Sequence, residues 1–333
     1  MIERSEIVKR LLSGIKPTGD LTLGNYIGAL KQFSDMQKDY ETFIFVADMH
    51  ALTIYNDPAE LKKKIRDIIA IYLACGLDPK YTTLFIQSEN FYHANLGWIF
   101  ECNTYMGEAS RMTQFKEKSS HEKNISVGLF TYPMLMAADI LLYDADVVPV
   151  GIDQKQHVEL ARNIAIRFNH RYGETFKIPE PVISKTGAKI YDLQNPLKKM
   201  SKSSDNDKGC IMLLDDIDVA RKKIMSAVTD SDNEIKYDPE NKPGISNLLV
   251  IYSSLRDISI EDAVCECKDM NYGEFKRNVA DCVVNLLSGL QEKYRLFISD
   301  GSIDRLLDES NEKVRKIAED KIRDVYSRVG IGR

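Results

Sequence analysis

No apolar run in this sequence approaches the length of about 20 residues needed to cross a bilayer. The stretch from Met1 to Arg10 mixes charges of both signs and lacks the apolar core of a secretory signal. A cytoplasmic protein without membrane contact is therefore expected. The six cysteines, Cys75, Cys102, Cys210, Cys265, Cys267 and Cys282, include no C-x-x-C pair, and Cys265 and Cys267 are poorly spaced for a zinc knuckle. Reduced thiols and no structural metal are the expectation. Neither charge sign dominates: 45 basic and 50 acidic side chains leave a net charge of −5 over 333 residues. Overall charge thus offers no argument for nucleic-acid binding, while leaving room for a local basic patch. Internal repeats, low-complexity segments and the dinucleotide fingerprint G-x-G-x-x-G are missing as well.

What is present has the composition of an ordinary globular protein, long enough for two domains. The first half alternates short apolar runs with amphipathic stretches. Residues 42–47, 83–86 and 147–150 read as buried strands. Asp57-Pro58-Ala59-Glu60 has the layout of a helix start, with Asp57 as N-cap and Glu60 as the returning partner of a capping box. Leu61, Ile65, Ile68, Ile69 and Tyr72 follow on one face, and Gly76 supplies a stop. A further helix is expected over 154–168. Such alternation with continuous apolar strands predicts an α/β fold with a parallel sheet covered on both faces. Beyond residue 205 the pattern turns helical, with one face from Phe275 through Val283 and Leu290 to Phe297, and another from Val314 to Val325. The expected division is an α/β domain over 1–205 and a helical domain over 206–333.

Ser13-Gly14-Ile15-Lys16-Pro17-Thr18-Gly19-Asp20-Leu21-Thr22-Leu23-Gly24-Asn25 follows a short apolar stretch and precedes an amphipathic helix over 26–36. A glycine turn feeding a helix N-terminus suits an anion, because backbone N–H groups and the helix dipole both point at it. Gly19 and Gly24 have P-loop spacing, but Asn25-Tyr26 stands where Lys-Ser/Thr belongs. On these residues alone, a phosphate cradle and a tight turn needing glycine only for geometry are equally compatible. Further on, Lys199-Met200-Ser201-Lys202-Ser203 places two lysines three apart in a polar stretch. They could converge on phosphates and neutralise a departing pyrophosphate, or form a solvated basic loop.

Together these two segments resemble the signatures of class I aminoacyl-tRNA synthetases, in their tryptophan-specific form. Thr22-Leu23-Gly24-Asn25 stands in for the usual His-x-Gly-His, and Lys199 to Ser203 matches the second signature letter for letter. Gly151-Ile152-Asp153-Gln154 looks like a third block, and Gly187-Ala188-Lys189-Ile190 a fourth. The resemblance implies a Rossmann-like catalytic domain, a helical anticodon-binding domain and a homodimer. It implies ATP with its Mg²⁺, L-tryptophan and tRNA(Trp) as partners. The adenylate would form first and then be transferred to the 3′-terminal ribose of the tRNA. Thr22 and Asn25 would donate to phosphate oxygens, Gly24 and Gly151 would let the nucleotide approach, and Asp153 would hold the ribose. Lys16, Pro17, Thr18, Ile152, Ile190 and the whole lysine loop would complete the ATP site. Lys16 stands where many relatives carry glutamine, and Ser204 where Asp or Glu is usual. Arg111 to Lys118 resembles a family loop whose Lys118 would approach the triphosphate.

The apolar segment 128–142 carries a single carboxylate, Asp139. A buried charge there needs a partner. A helix cap or an ion pair at the core edge would serve. The resemblance implies that Asp139 accepts the indole N–H, the only hydrogen bond that side chain makes. Met136, Val148 and Val150 would form apolar walls, and Tyr132 and Gln154 would hold the α-amino group. His157 lies on an apolar stripe with Ala161, Ile164 and Phe168 and is expected to pack; a structural role is expected for His50 too. The alternatives are a tyrosine-specific enzyme of the same class and a catalytically silent tRNA-binding relative. A serine acyl enzyme is suggested by S-x-x-K at Ser13, K-T-G at Lys185 and S-D-N at Ser204 and Ser231. Its motifs fall in the wrong order here.

Overall fold

The structure, a computed structural model, describes residues 8–119, 124–151, 154–183, 188–201 and 207–333, with the backbone alone for 117–119 and 183. Five strands are described: β1 (Arg10–Ile15), β2 (Glu41–Val46), β3 (Thr82–Ile86), β4 (Val147–Val150) and β5 (Glu180–Ile183). They form one parallel sheet in the order β3-β2-β1-β4-β5. Successive side chains of a strand point to opposite faces. Leu11, Ile44, Val46, Leu84 and Ile86 accordingly enter one apolar cluster, and Leu12, Phe43, Phe45 and Phe85 the other. Burial on both sides is why these strands read as unbroken apolar runs.

From β1 the chain enters a helix that begins as α1 (Leu23–Asn25), passes through a π-helical stretch, Tyr26–Leu30, and ends as α2 (Lys31–Met36). The short α3 (Asp48–Ala51) and the long α4 (Pro58–Ala74) join β2 to β3. Asp57 caps α4 as expected, accepting from the N–H groups of Ala59 and Glu60 at 3.0 Å each, but the Glu60 side chain does not return to the Asp57 N–H and the capping box does not form. At its other end Gly76 has φ +100°, its N–H bonds to Leu73 and that of Leu77 to Tyr72, a Schellman ending that glycine adopts without strain.

Between β3 and β4 lie α5 (Tyr92–Asn103), α6 (Met106–Ala109), α7 (Thr113–Ser119) and α8 (Val127–Leu141). The segment around Lys116, expected as a loop, is therefore helical from Thr113 onward. Helix α9 (Lys155–Tyr172) joins β4 to β5; it runs one turn beyond the expected end and stops only at Gly173, where φ is +93°.

The second half supplies α10 (Ile217–Met225), α11 (Pro243–Arg256), α12 (Ile260–Cys267), α13 (Tyr272–Ser299) and α14 (Ser302–Val329). α13 packs its Phe275–Val279–Val283–Leu287 stripe into the cluster that also holds α4. α14 begins well before Val314 and returns to the opposite face of the sheet. Its Val314, Ala318, Ile322 and Val325 share a cluster with Leu12, Phe43 and Phe45. Lys313 donates to Thr83 at 3.0 Å, and Asn95 to the Tyr326 hydroxyl at 3.1 Å. Among the described residues, no helix is long and apolar enough to cross a membrane.

From β1 the sheet grows outward through β2 and β3 on one side and through β4 and β5 on the other. The direction of winding reverses between β1 and β4. In open parallel sheets, ligands bind in the crevice that opens at the carboxyl ends of the strands at such a reversal.

Candidate active site

A cavity of about 380 Å³ occupies that crevice. Ser13, Gly14, Ile15 and Lys16 line it from the end of β1, and Val148, Pro149, Val150 and Gly151 from β4. Asn25, Phe33, Phe45, Gln114, Tyr132, Met136, Asp139 and Gln154 also face it, as does Leu12. All six residues expected to bind the amino acid thus meet in one cavity. Gly14 is there for space: a Cβ on it would stand 2.6 Å from Phe45 Cζ.

Asp139 is the centre of the polar wall. Its Oδ1 accepts from Gln87 Nε2 at 2.7 Å and lies 2.7 Å from His93 Nδ1, while Oδ2 lies 2.8 Å from His50 Nε2. Burial alone would push this carboxyl up, but His50 and His93 outweigh it and hold Asp139 at about 2. The carboxylate is thus charged, buried and paired. Helices α3, α5 and α8 and the end of β3 each contribute one member of this group. Asp48 secures the junction, accepting from the N–H of Ser88 at 3.0 Å and from the Ser88 hydroxyl.

Tyr132 faces the cavity with its hydroxyl 2.8 Å from His157 Nε2, and burial pushes that hydroxyl up to about 12. His157 is buried in α9, as its place on the apolar stripe implies, and it also orients Tyr132. Lys16 extends to Thr53, with Nζ 3.4 Å from its hydroxyl.

Thr22 and Asn25 cap α1 reciprocally. The Thr22 hydroxyl accepts from the Asn25 N–H at 3.1 Å and lies 3.0 Å from Asn25 Oδ1, which also accepts the Thr22 N–H at 2.9 Å. Of the two, Asn25 lines the cavity. Pro17 is buried and Thr18 half-buried in the turn that precedes them. Gly24 faces Ile190 and Met200, whose Cβ atoms would be 3.5 and 3.8 Å from a Cβ there.

Both apolar partners of Gly24 are buried, while Lys199 and Ser201 beside them are exposed. Met200 N–H bonds to the Ile190 carbonyl at 3.0 Å, and Leu23 N–H to the Ile211 carbonyl at 2.9 Å. The glycine turn and both flanks of the lysine loop are therefore stitched to one another. Ile152, Asp153, Lys202, Ser203 and the side chain of Lys118 lie outside the described residues.

Sequence reasoning missed Gln87, His93 and Tyr143. Gln87 carried a weak signal, being a polar residue directly after the apolar run of β3. His93 carried none.

The family model for tRNA synthetases class I (W and Y) matches residues 6–288. The chain is 52% identical to the tryptophan–tRNA ligase of Caldanaerobacter subterraneus subsp. tengcongensis over 324 residues, which is 97% of this chain and 99% of the relative. It is 51% identical to that of Bacillus subtilis over 323 residues, 97% and 98% of the two chains. Among solved structures it resembles a tryptophanyl-tRNA synthetase from Mycoplasma pneumoniae, with TM-score 0.87 and 36% identity over 98% of this chain and 99% of the other. It also resembles the enzyme from Campylobacter jejuni complexed with ADP and tryptophan, with TM-score 0.84 and 35% identity over 97% and 100%.

Proposed function

Since the chain belongs to the class I tRNA synthetases of the tryptophan and tyrosine type, we propose that its cavity activates tryptophan for transfer to tRNA(Trp). The chain is an aminoacyl-tRNA ligase that uses ATP. In the first step a carboxylate oxygen of tryptophan attacks the α-phosphorus, the α–β bridging bond breaks, and pyrophosphate leaves. In the second, a ribose hydroxyl of the tRNA attacks the carbonyl carbon of the adenylate and AMP leaves. Neither step needs a side-chain nucleophile, so positioning and electrostatics carry the reaction.

The observation that carries this reading is Asp139: a charged acceptor on the wall of an otherwise largely apolar cavity. In this reading it accepts the indole N–H. Met136, Val148 and Val150 enclose the ring, and Tyr132 and Gln154 face the α-amino group. Lys16 reaches the substrate carboxylate or a phosphate. Asn25 and Thr22, with Pro17, Thr18, Gly24, Gly151, Ile152, Asp153 and Ile190, form the nucleotide site, and Lys118 approaches the triphosphate. Lys199 and Lys202 neutralise the departing pyrophosphate, with Met200, Ser201 and Ser203 shaping their loop. ATP enters as its Mg²⁺ complex, and the ion's neutralisation of phosphate charge belongs to the substrate. Among the described residues, no group of three or more His, Cys, Asp or Glu side chains is placed to hold a metal.

The proposal extends to a cytoplasmic homodimer whose residues 206–333 read the anticodon. Supporting the dimer is a groove of about 350 Å³ beside the cavity, lined by Leu52, Gly97, Trp98, Gly128 and Leu135. Leu52 and Trp98 are 70% and 67% exposed, a large apolar surface for a protein to leave in water. His50, Thr53 and Tyr132 line both the groove and the cavity. The decisive assay for the substrate is amino-acid-dependent exchange of pyrophosphate into ATP. Robust exchange is expected with tryptophan and very little with tyrosine or phenylalanine; strong exchange with tyrosine overturns the substrate while leaving the fold.

A further inference from the structure

The polar wall of the cavity continues into the protein interior behind Asp139. His93 is fully buried, and its two ring nitrogens are both engaged: Nδ1 lies 2.7 Å from Asp139 Oδ1 and Nε2 2.8 Å from the Tyr143 hydroxyl. Tyr143 is fully buried and receives a hydrogen bond from Asn90 Nδ2 at 3.0 Å. Asn90 is itself oriented by the main chain, its Oδ1 accepting the Tyr92 N–H at 3.2 Å. We propose that Asn90, Tyr143 and His93 form a proton-ordered relay that fixes the Asp139 carboxylate for the indole, with His93 as its positioning residue.

The order of protons follows from elementary bookkeeping. The Tyr92 N–H can only donate, so it claims Asn90 Oδ1 and turns the amide nitrogen toward Tyr143. An amide nitrogen donates, so the Tyr143 oxygen accepts there and its one proton goes to His93 Nε2. Nε2 therefore accepts, which puts the ring's single proton on Nδ1, aimed at Asp139. A doubly protonated ring would leave the buried Tyr143 proton with no acceptor, which is costly. His93 is accordingly a neutral donor, and the negative charge of Asp139 is preserved rather than cancelled from behind.

The consequence for recognition lies in the carboxylate. Gln87 and His93 both donate to Oδ1 and fill its two acceptor positions. A third donor must come to Oδ2, the oxygen that His50 also holds. The relay thus selects which oxygen meets the indole N–H and keeps it from rotating. Elements distant in the sequence are needed for this, since Asn90 and Tyr143 flank α5 and α8 rather than the cavity.

This inference rests on the reading that Asp139 accepts the indole N–H, and the test separates the two. Pyrophosphate exchange is measured on the full chain for Asp139→Asn, Tyr143→Phe, His93→Leu and His93→Asn. Tyr143→Phe keeps the ring's volume and loses one hydroxyl. Its KM for tryptophan is expected to rise about tenfold, the size of one lost hydrogen bond, while kcat and the KM for ATP hold within about twofold. His93→Leu raises it further, and His93→Asn, which returns a donor near the Nδ1 position, recovers most of the loss.

Nitrogen-15 spectra of histidine-labelled protein should show the His93 ring protonated at Nδ1 alone, with a share of doubly protonated ring in Tyr143→Phe, where no hydroxyl proton needs Nε2 as its acceptor. A ring protonated at Nε2 in the wild type overturns the relay. So does an unchanged tryptophan KM in Tyr143→Phe beside a raised one in Asp139→Asn, or a parallel loss of kcat and both KM values with falling Tm. An unchanged tryptophan KM in Asp139→Asn removes the reading beneath it instead.

Discussion

Asp139 combines three properties that rarely coincide: it is buried, ionised and supplied with donors on both oxygens. Substituting asparagine replaces one acceptor oxygen by a donor nitrogen, which faces other donors and cannot accept the indole N–H. Asp139→Asn is expected to raise the KM for tryptophan about a hundredfold and leave ATP binding in place, as read by pyrophosphate exchange at varied concentrations of each substrate. The same residue shapes the acid limb of stability. Its carboxyl sits at about 2 in the folded protein, against about 3.9 for an unperturbed aspartate. The folded value is the lower one, so the stabilisation is complete above pH 4 and is lost as pH falls from about 4 toward 2. The wild type should therefore lose about 2 kcal/mol more than Asp139→Asn across that window, measured as the pH dependence of urea midpoints.

At the scale of elements, the close approach of β1 to β2 sets the back of the cavity. Gly14→Ala would drive a methyl group into the Phe45 ring, which is stacked on Phe85 at 5.6 Å between centroids and lies 6.1 Å from the His93 ring. With Phe85 and His93 against it, the ring can yield only toward the cavity it lines, so a loss of about 1–3 kcal/mol is expected in thermal or chemical unfolding, together with weaker tryptophan binding.

The elements legible in the sequence were those that depend on local signals. The apolar runs of β2, β3 and β4, the Asp57 cap and the stop at Gly76 needed no knowledge of neighbours. Where expectation and structure differ, tertiary contact is the reason. α14 starts at Ser302: Ile303, Leu307 and Ser310 continue the Val314 stripe at helical spacing, but the polar Ser310 interrupts its apolar pattern, and the first two pack into the other cluster. Asp139 was readable as the one carboxylate of an apolar segment, and Tyr132 and Gln154 only through the resemblance to the family. Gln87, His93 and Tyr143 were not, because their roles exist only once α5, α8 and β3 are brought side by side.

For the molecule as a whole, the exposed apolar groove around Leu52 and Trp98 touches the active cavity through residues the two share. If the proposed dimer forms through this groove, Trp98→Asp is expected to convert it to monomer in sedimentation equilibrium, and to weaken tryptophan activation, since His50 and Tyr132 lose support from the groove side. A Trp98→Asp protein that stays dimeric would place the interface elsewhere. Helix α14 raises a different matter, that of timing during synthesis. It covers the sheet face formed by Leu12, Phe43 and Phe45, yet it is the last helix of the described chain to be made. Until the ribosome has delivered it, the α/β half carries an uncovered apolar surface, the kind of intermediate that aggregates or engages chaperones. A message broken before the codon for Ser302 would thus yield chains that hold every cavity residue and still cannot stay in solution.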